Sequence, residues 1–284
     1  MNARRNAAPH PTRTGGGPFA VFLFAVFLTF PAQALEIHGE PQQGGLVMGR
    51  AAAGERVFLD GAAVPVDREG RFALGFGRDA GPKAEVTAVR PGGATESLTL
   101  EVRPREWQVQ RIEGLPQDKV TPPKALLERI AADNRAVAKA RESRRAVAEF
   151  LGGFRLPVAG ARVSGVFGSQ RILNGEARAP HSGLDLAAPE GTPVVAAAAG
   201  VVSLAHPDMV FTGKTVMVDH GLGVQTVYAH LSRIDVTVGQ RVAAGAPLGR
   251  VGATGRATGP HLHWGASWLD RRLDPEALLA LPQP

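Results

Sequence analysis

Hydrophobic positions along the chain follow three different patterns. Phe19 to Phe30 is an apolar run of twelve residues, short for a membrane-spanning helix, which needs about 20. Arg4, Arg5 and Arg13 precede it, and the small-x-small triplet Ala32-Gln33-Ala34 follows, the layout of a secretory signal peptide over residues 1–34. Arg4-Arg5 lacks the longer context of a twin-arginine signal, which favours the general secretory route. The expected mature chain starts at Leu35 and carries no stable membrane span. Period-two alternation comes next. Val57 and Leu59, Val64 and Val66, then Phe72, Leu74 and Phe76 alternate about turns at Asp60-Gly61 and Glu69-Gly70. With Glu85 to Val89 and Leu98 to Val102 they predict roughly six strands, a small β-sandwich over residues 35–103.

Residues 104–155 change period. Pro104 and Pro116 mark a linker that packs in extended form. Thr121-Pro122 then opens a predicted helix whose apolar stripe runs through Leu126, Leu127, Ile130, Val137, Val147 and Leu151 and ends at Gly152-Gly153. Its basic run from Arg135 to Arg145 reads first as a solvated face and second as a docking surface for an anionic envelope component. From residue 156 to 284, Gly, Val, Ala and Thr dominate, with turns every eight to twelve residues, a mostly-β pattern. Strands are predicted over Val194–Ala198, Thr215–Val218, Val224–Tyr228 and His261–Trp268, with Asp274 capping a short terminal helix that reaches Leu281. The fold class is mostly β throughout.

Composition removes several classes of function. There is no cysteine, so disulfides do not hold this exported chain together and thiolate zinc sites are excluded. Any metal must use His, Asp or Glu. The formal charge of +6 falls to +3 once the three leader arginines are gone, because residues 1–34 carry no acid. That balance, together with export, argues against nucleic acid as a partner.

The chemistry gathers in the last segment. In "GPHLHWG", His261 and His263 flank one leucine, and on a strand both imidazoles point to the same face. In "PHSGLDLAAP", His181 and Asp185 lie four apart; Pro180 and Pro189 favour extended backbone, where an even spacing also shares a face. One histidine of the later pair completes a set of two His and one Asp and leaves a fourth position for water, the open arrangement of a catalytic zinc. The other histidine sits beside the ion, free to move protons. His230 in "VYAHLS" is a second non-ligand imidazole. His38, His206 and His220 read as surface, loop and turn residues.

The stretches "PHSGLDLAAPEGTPVVAAAAGVV", "VDHGLGVQTVYAHLS" and "GATGRATGPHLHWG" together resemble the lysostaphin-type, or LytM-domain, zinc metallopeptidases over about residues 157–276. The resemblance implies an antiparallel LytM-type (duplicated hybrid motif) domain over 156–284. It also implies one zinc per domain held by His181, Asp185 and His263, with His230 and His261 as the catalytic imidazoles. Relatives that have lost these positions act only as amidase activators; here all five are present. The resemblance implies cleavage of peptide bonds in peptidoglycan. The signal-peptidase site, the absence of wall-anchoring motifs and the domain order fit a Gram-negative periplasm. The expected bond there is a stem-peptide crosslink between D-alanine and meso-diaminopimelate, with a glycine bridge as the second candidate. Zinc would polarise the scissile carbonyl, and in the absence of a His-Glu-x-x-His glutamate one imidazole takes the proton from water. Tyr228, Asn174 and Arg171 are the substrate-facing candidates. In some relatives an upstream residue fills the open zinc position, although Asn174-Gly175 reads more simply as a turn. Two rival readings accompany this one. The chain is a non-catalytic regulator that recruits a cell-wall amidase, or it is an enzyme kept latent by residues 35–155 or by a regulatory envelope protein.

Overall fold

The computed structural model describes residues 35–113 and 124–281; the predicted leader and the Thr121-Pro122 helix start lie outside them. The described residues from Leu35 onward belong to one compact unit. Its first part consists of two antiparallel sheets. One has the order β1 (Glu36–His38), β2 (Leu46–Arg50), β5 (Arg71–Gly75). The other runs β4 (Ala62–Val64), β3 (Arg56–Leu59), β6 (Lys83–Val89), β7 (Thr95–Glu101). The alternating residues do what their period demands: Val57, Leu59, Phe72, Leu74, Val86 and Ala88 are buried in one cluster between the sheets. That cluster does not stop at residue 103. It continues through Leu222, Ala266, Trp268, Leu273 and Leu278 of the second half, so the N-terminal part and the C-terminal sheet are sealed by common apolar contacts.

The extended linker is itself a strand, β8 (Val109–Ile112), paired in parallel with β10 (Gln170–Leu173), which turns back into β11 (Glu176–Ala177). The helix α1 covers Leu127–Arg141, and this corrects the stripe expected to reach Leu151. No apolar residue continues the pattern between Ala140 and Ala146, and tertiary contacts take over the backbone there. Leu222 N donates to Arg145 O at 2.8 Å and Glu149 N to His220 O at 3.0 Å, while Phe150 is driven into the core. The basic run is solvated at Arg135, Lys139 and Arg144, but not at Arg141 and Arg145. Arg145 pairs with Glu149 at 2.7 Å, and Nε and Nη2 of Arg141 are buried.

The second half centres on an antiparallel sheet. Its order is β18 (Arg241–Val242), β14 (Gly200–Met209), β15 (Gly213–Gly221), β16 (Val224–Leu231), β20 (His261–Trp268), β12 (Gly183–Ala187), β9 (Arg162–Gly165), with β21 (Arg271–Leu273) pairing the far end of β20. A smaller sheet, β13 (Pro193–Val195), β19 (Pro247–Arg250) and β17 (Arg233–Ile234), packs beside it. One face of the large sheet carries Leu184, Leu186, Tyr228, Leu262 and Trp264 into a second core. On the opposite face, Met217 and Val227 meet Ala140 and Val137 of α1. The helix is pinned there by Arg129 to Asp208 at 2.9 Å and by Asp133 Oδ2, which accepts from Val210 N at 2.8 Å. Asp274 caps α2 (Pro275–Leu279) by accepting from Glu276 N at 3.0 Å.

Candidate metal centre

Strand register builds the centre. Asp185 on β12 pairs directly with His263 on β20, and His263 pairs with Ala229 on β16. Residues 261 and 263 share a face by alternation, so His261, His263 and Asp185 all project from the side opposite the Tyr228–Trp264 core. His181 precedes β12 in a loop tied down at both backbone groups: its N donates to Ser169 O and its O accepts from Gly168 N, each at 2.9 Å. The imidazole swings over the sheet. His181 Nε2 lies 3.1 Å from Asp185 Oδ1 and 3.1 Å from His263 Nδ1, and His263 Nδ1 lies 2.9 Å from Asp185 Oδ1.

Glycines make room for this arrangement. A Cβ at Gly183 would stand 2.4 Å from Trp264 O and 2.9 Å from the His263 ring, and one at Gly165 would stand 2.5 Å from Asp185 Oδ2. Among the described residues, His181, Asp185 and His263 are the single group of three such donors gathered closely enough to hold a metal ion, their ligand atoms within 4.8 Å of one another. Two nitrogen donors meet at hydrogen-bond distance with one carboxylate beside them. That is the donor chemistry of an open zinc site.

The other two imidazoles stand alongside. The rings of His230 and His261 are 4.8 Å apart, centre to centre, and His230 is 6.1 Å from His263. His261 Nε2 comes within 3.8 Å of Asp185 Oδ1. His230 joins this face by a backbone device. Its φ is +61°, beside a register shift between β15 and β16, a conformation that non-glycine residues rarely adopt. Its Nδ1 sits 2.8 Å from Thr254 O, His261 Nδ1 2.8 Å from Gly259 O, and His181 Nδ1 2.9 Å from Val166 O. Each carbonyl accepts from a protonated Nδ1, which fixes the tautomer and leaves Nε2 as the lone pair turned to the site. These three carbonyls were invisible to sequence reasoning, since a backbone acceptor has no residue-type signal.

Electrostatics follow the same layout. Burial works against the Asp185 carboxylate, but the His181 and His263 imidazoles that face it hold it well below the usual carboxylate range. Burial pushes His230 down to about 4, and it lowers His263 as well.

Of the three substrate-facing candidates, one falls elsewhere. Tyr228 does not face the site. The bulge that turns His230 outward puts the two on opposite faces, and the buried Tyr228 hydroxyl accepts from Ala197 N at 2.8 Å and bonds Thr226 Oγ1 at 2.9 Å; burial raises it to about 12. Asn174, with φ +49°, and Gly175, with φ +77°, form the two-residue turn between β10 and β11, the local turn chemistry of a type I′ hairpin. Arg171 is placed by its backbone on β10, in register with Gln110. His220 is fully buried, 2.7 Å from Ala199 O and 2.8 Å from Thr226 Oγ1, a core residue.

A donor set of this kind on the face of an antiparallel sheet is the arrangement of an open metal centre. Residues 179–275 match peptidase family M23. A crystal structure described as a peptidase M23 from Pseudomonas aeruginosa is 34% identical and superposes with a TM-score of 0.64, covering 85% of this chain and 96% of that one. The DD-carboxypeptidase/endopeptidase Mpg of Neisseria meningitidis serogroup B is 41% identical over 134 residues, 47% of this chain and 30% of that protein. The peptidoglycan DD-endopeptidase ShyA of Vibrio cholerae is 44% identical over 106 residues, 36% of this chain and 24% of that protein. The chain thus spans less than a third of the length of these two relatives. It belongs to peptidase family M23.

Proposed function

We propose that this chain is a zinc-dependent endopeptidase that hydrolyses peptide crosslinks of peptidoglycan in the bacterial envelope. The observation that carries the reading is the convergence of five side chains from three separate stretches of the chain. His181, Asp185 and His263 gather within 4.8 Å, and His230 and His261 stand beside them. The names of the Neisseria and Vibrio relatives, both endopeptidases and one of them peptidoglycan-specific, support the substrate class. The leader-like pattern of residues 1–34 supports export to the periplasm. No helix among the described residues is long and apolar enough to cross a membrane. On this reading residues 35–103, 104–155 and 156–284 are an accessory β domain, a connector and the catalytic domain.

His181, Asp185 and His263 would hold the ion. When bound, zinc polarises the scissile carbonyl and lowers the pKa of a bound water toward about 7. The protein side chains do the rest. His230 and His261 turn their Nε2 atoms to the open side of the triad. One of the pair, unprotonated at Nε2, accepts the proton of the attacking water and returns it to the departing amine. The other, as an imidazolium protonated at Nε2, donates a hydrogen bond to the developing oxyanion. The Asp185 carboxylate stays ionised and holds both His181 and His263 in place.

Retention of all three ligand positions favours catalysis over the amidase-regulator reading. A latency role for the connector is supported by α1, which packs through Ala140 on Val227, the cross-strand partner of Gly265 on the face that bears His263. Asp133→Ala, which frees α1 from Val210, is expected to raise turnover of intact sacculi severalfold; an unchanged rate contradicts that role. The reading as a whole is tested with a synthetic crosslinked peptide dimer. Full-length protein with zinc should release monomers, and the same protein treated with chelator should not.

A further inference from the structure

Beside His181 the structure holds a cavity of about 710 Å³ at the seam between the N-terminal β domain and the catalytic sheet. The loop from Phe76 to Lys83 forms one wall, the loop Ala179–Ser182 that delivers His181 forms another, and Arg271 and Arg272 of β21 close it. Four basic side chains line it, Arg78, Lys83, Arg271 and Arg272, against two acidic ones, Asp79 and Asp60, the latter accepting from Glu85 N at 2.9 Å. Two of the cations are already neutralised: Arg78 pairs with Asp79 at 2.5 Å and Lys83 with Glu101 at 3.1 Å. Arg271 has no carboxylate partner among the described residues, but it donates to Gly75 O at 3.1 Å and stacks over Trp268.

Arg272 is different. It is half-buried, and among the described residues its guanidinium has neither a carboxylate nor a hydrogen-bond acceptor. Behind it lies a second guanidinium, that of Arg141 at the end of α1, whose buried Nε and Nη2 have no partner, and the equally unpartnered Oγ of Ser267, the residue that pairs with Arg272 across β20 and β21. Burial lowers the pKa of both arginines; the Arg272 cation lowers that of Arg141 further, whereas the Asp270 carboxylate opposes the shift at Arg141 and has no counterpart at Arg272. A guanidinium in a low-dielectric site without a counter-charge is costly, and an anion in the cavity relieves it. The cluster is also aligned with the metal centre. His263, Gly265 and Ser267 alternate on one face of β20, so Ser267 lies about 13 Å from His263 at roughly 3.3 Å per residue, the reach of about four residues of extended peptide.

We infer that this cavity is a substrate subsite that receives a free carboxylate of the stem peptide, with Arg272 as the residue that binds it and Arg271 at its rim. The inference rests on the peptidoglycan-endopeptidase reading and adds to it a specificity: acidic peptides are preferred over their amidated counterparts. The planar, forked guanidinium suits a carboxylate, which it grips through two parallel hydrogen bonds. The N-terminal domain, which has no chemistry of its own, thereby supplies one wall of the substrate channel.

The test uses full-length protein with zinc and two synthetic crosslinked peptides that differ only in whether the stem carboxylates are free or carboxamides. The acid form is expected to show a KM lower by about tenfold to a hundredfold, the worth of a charge-assisted hydrogen bond. In Arg272→Gln the KM for the acid should rise to that of the amide, with the loss in KM rather than kcat, and Arg272→Lys should recover part of the preference. Equal KM values for acid and amide in the unmodified protein overturn the inference, and that comparison stands even if Arg272→Gln does not fold. If the unmodified protein cuts neither peptide, the endopeptidase reading is what fails. Calorimetric binding of the same two peptides then decides the subsite: tighter binding of the acid supports it, and equal affinity overturns it.

Discussion

Asp185 and His263 sit directly opposite each other on neighbouring antiparallel strands, with Oδ1 of one 2.9 Å from Nδ1 of the other. Cross-strand partners on one face have Cβ atoms about 5 Å apart, so this pairing sets most of the centre's geometry before His181 is added. The carboxylate is held ionised by the imidazoles it faces, and the imidazoles are oriented by the carboxylate. Asp185→Asn keeps the shape and removes the charge. Changes to outer-shell partners of a metal typically reduce affinity about 10–100-fold, so loss of this ligand charge is expected to weaken zinc by more than about a hundredfold. Competition against a fluorescent chelator measures it.

Gly183→Ala tests the same geometry from the backbone side. The new methyl would press on Trp264 O and the His263 ring, and overpacking of this kind costs about 1–3 kcal/mol. Lower thermal stability and weaker zinc binding are expected together. Gly152→Ala, where no atom lies within 4 Å of the added Cβ, should change neither.

Much of the centre could be read from the chain because its logic is period-two. His261 and His263 share a face on their strand, whereas His181, expected to alternate onto the face of Asp185, lies in the loop before β12 and reaches the centre by swinging its ring over the sheet. The placement of Tyr228 defeated that logic. Alternation aims residues 228 and 230 alike, but the positive φ of His230 and the shift in register send them to opposite faces. The helix end was misplaced for a related reason. Val147 and Leu151 continue a helical stripe on paper, yet pairing of residues 145 and 149 with the backbone of 220–222 overrides the local preference. Arg272 carried no signal at all, since only the docking of the N-terminal domain creates the cavity that gives it a role.

Tyr228→Phe separates a core role from a substrate role. Removing the hydroxyl leaves the buried Ala197 N–H without its acceptor, a loss of about 1–3 kcal/mol. Chemical denaturation should register that loss, while kcat and KM for a crosslinked peptide stay unchanged.

Stability is expected to fall in acid through His220. Burial lowers its pKa to about 4 in the folded protein from an ordinary 6.5. Between those values the unfolded chain binds a proton that the folded chain refuses, so the contribution is complete above about pH 6.5 and is lost as pH falls toward 4. The total is about 3 kcal/mol. Denaturation of chelator-treated protein at stepped pH should show this slope, and His220→Gln should flatten it while lowering stability at pH 7.5. An unaltered slope in that variant would assign the acid sensitivity elsewhere.

The central claim is tested most directly by mass analysis of fragments released from purified peptidoglycan sacculi by full-length protein, with zinc, with chelator and with His181→Ala. The account predicts that crosslinked dimers become monomers, each cut adding one water, only with zinc and only with the intact triad. Dimers that remain intact in the presence of folded, zinc-loaded protein would contradict it and favour the amidase-regulator reading.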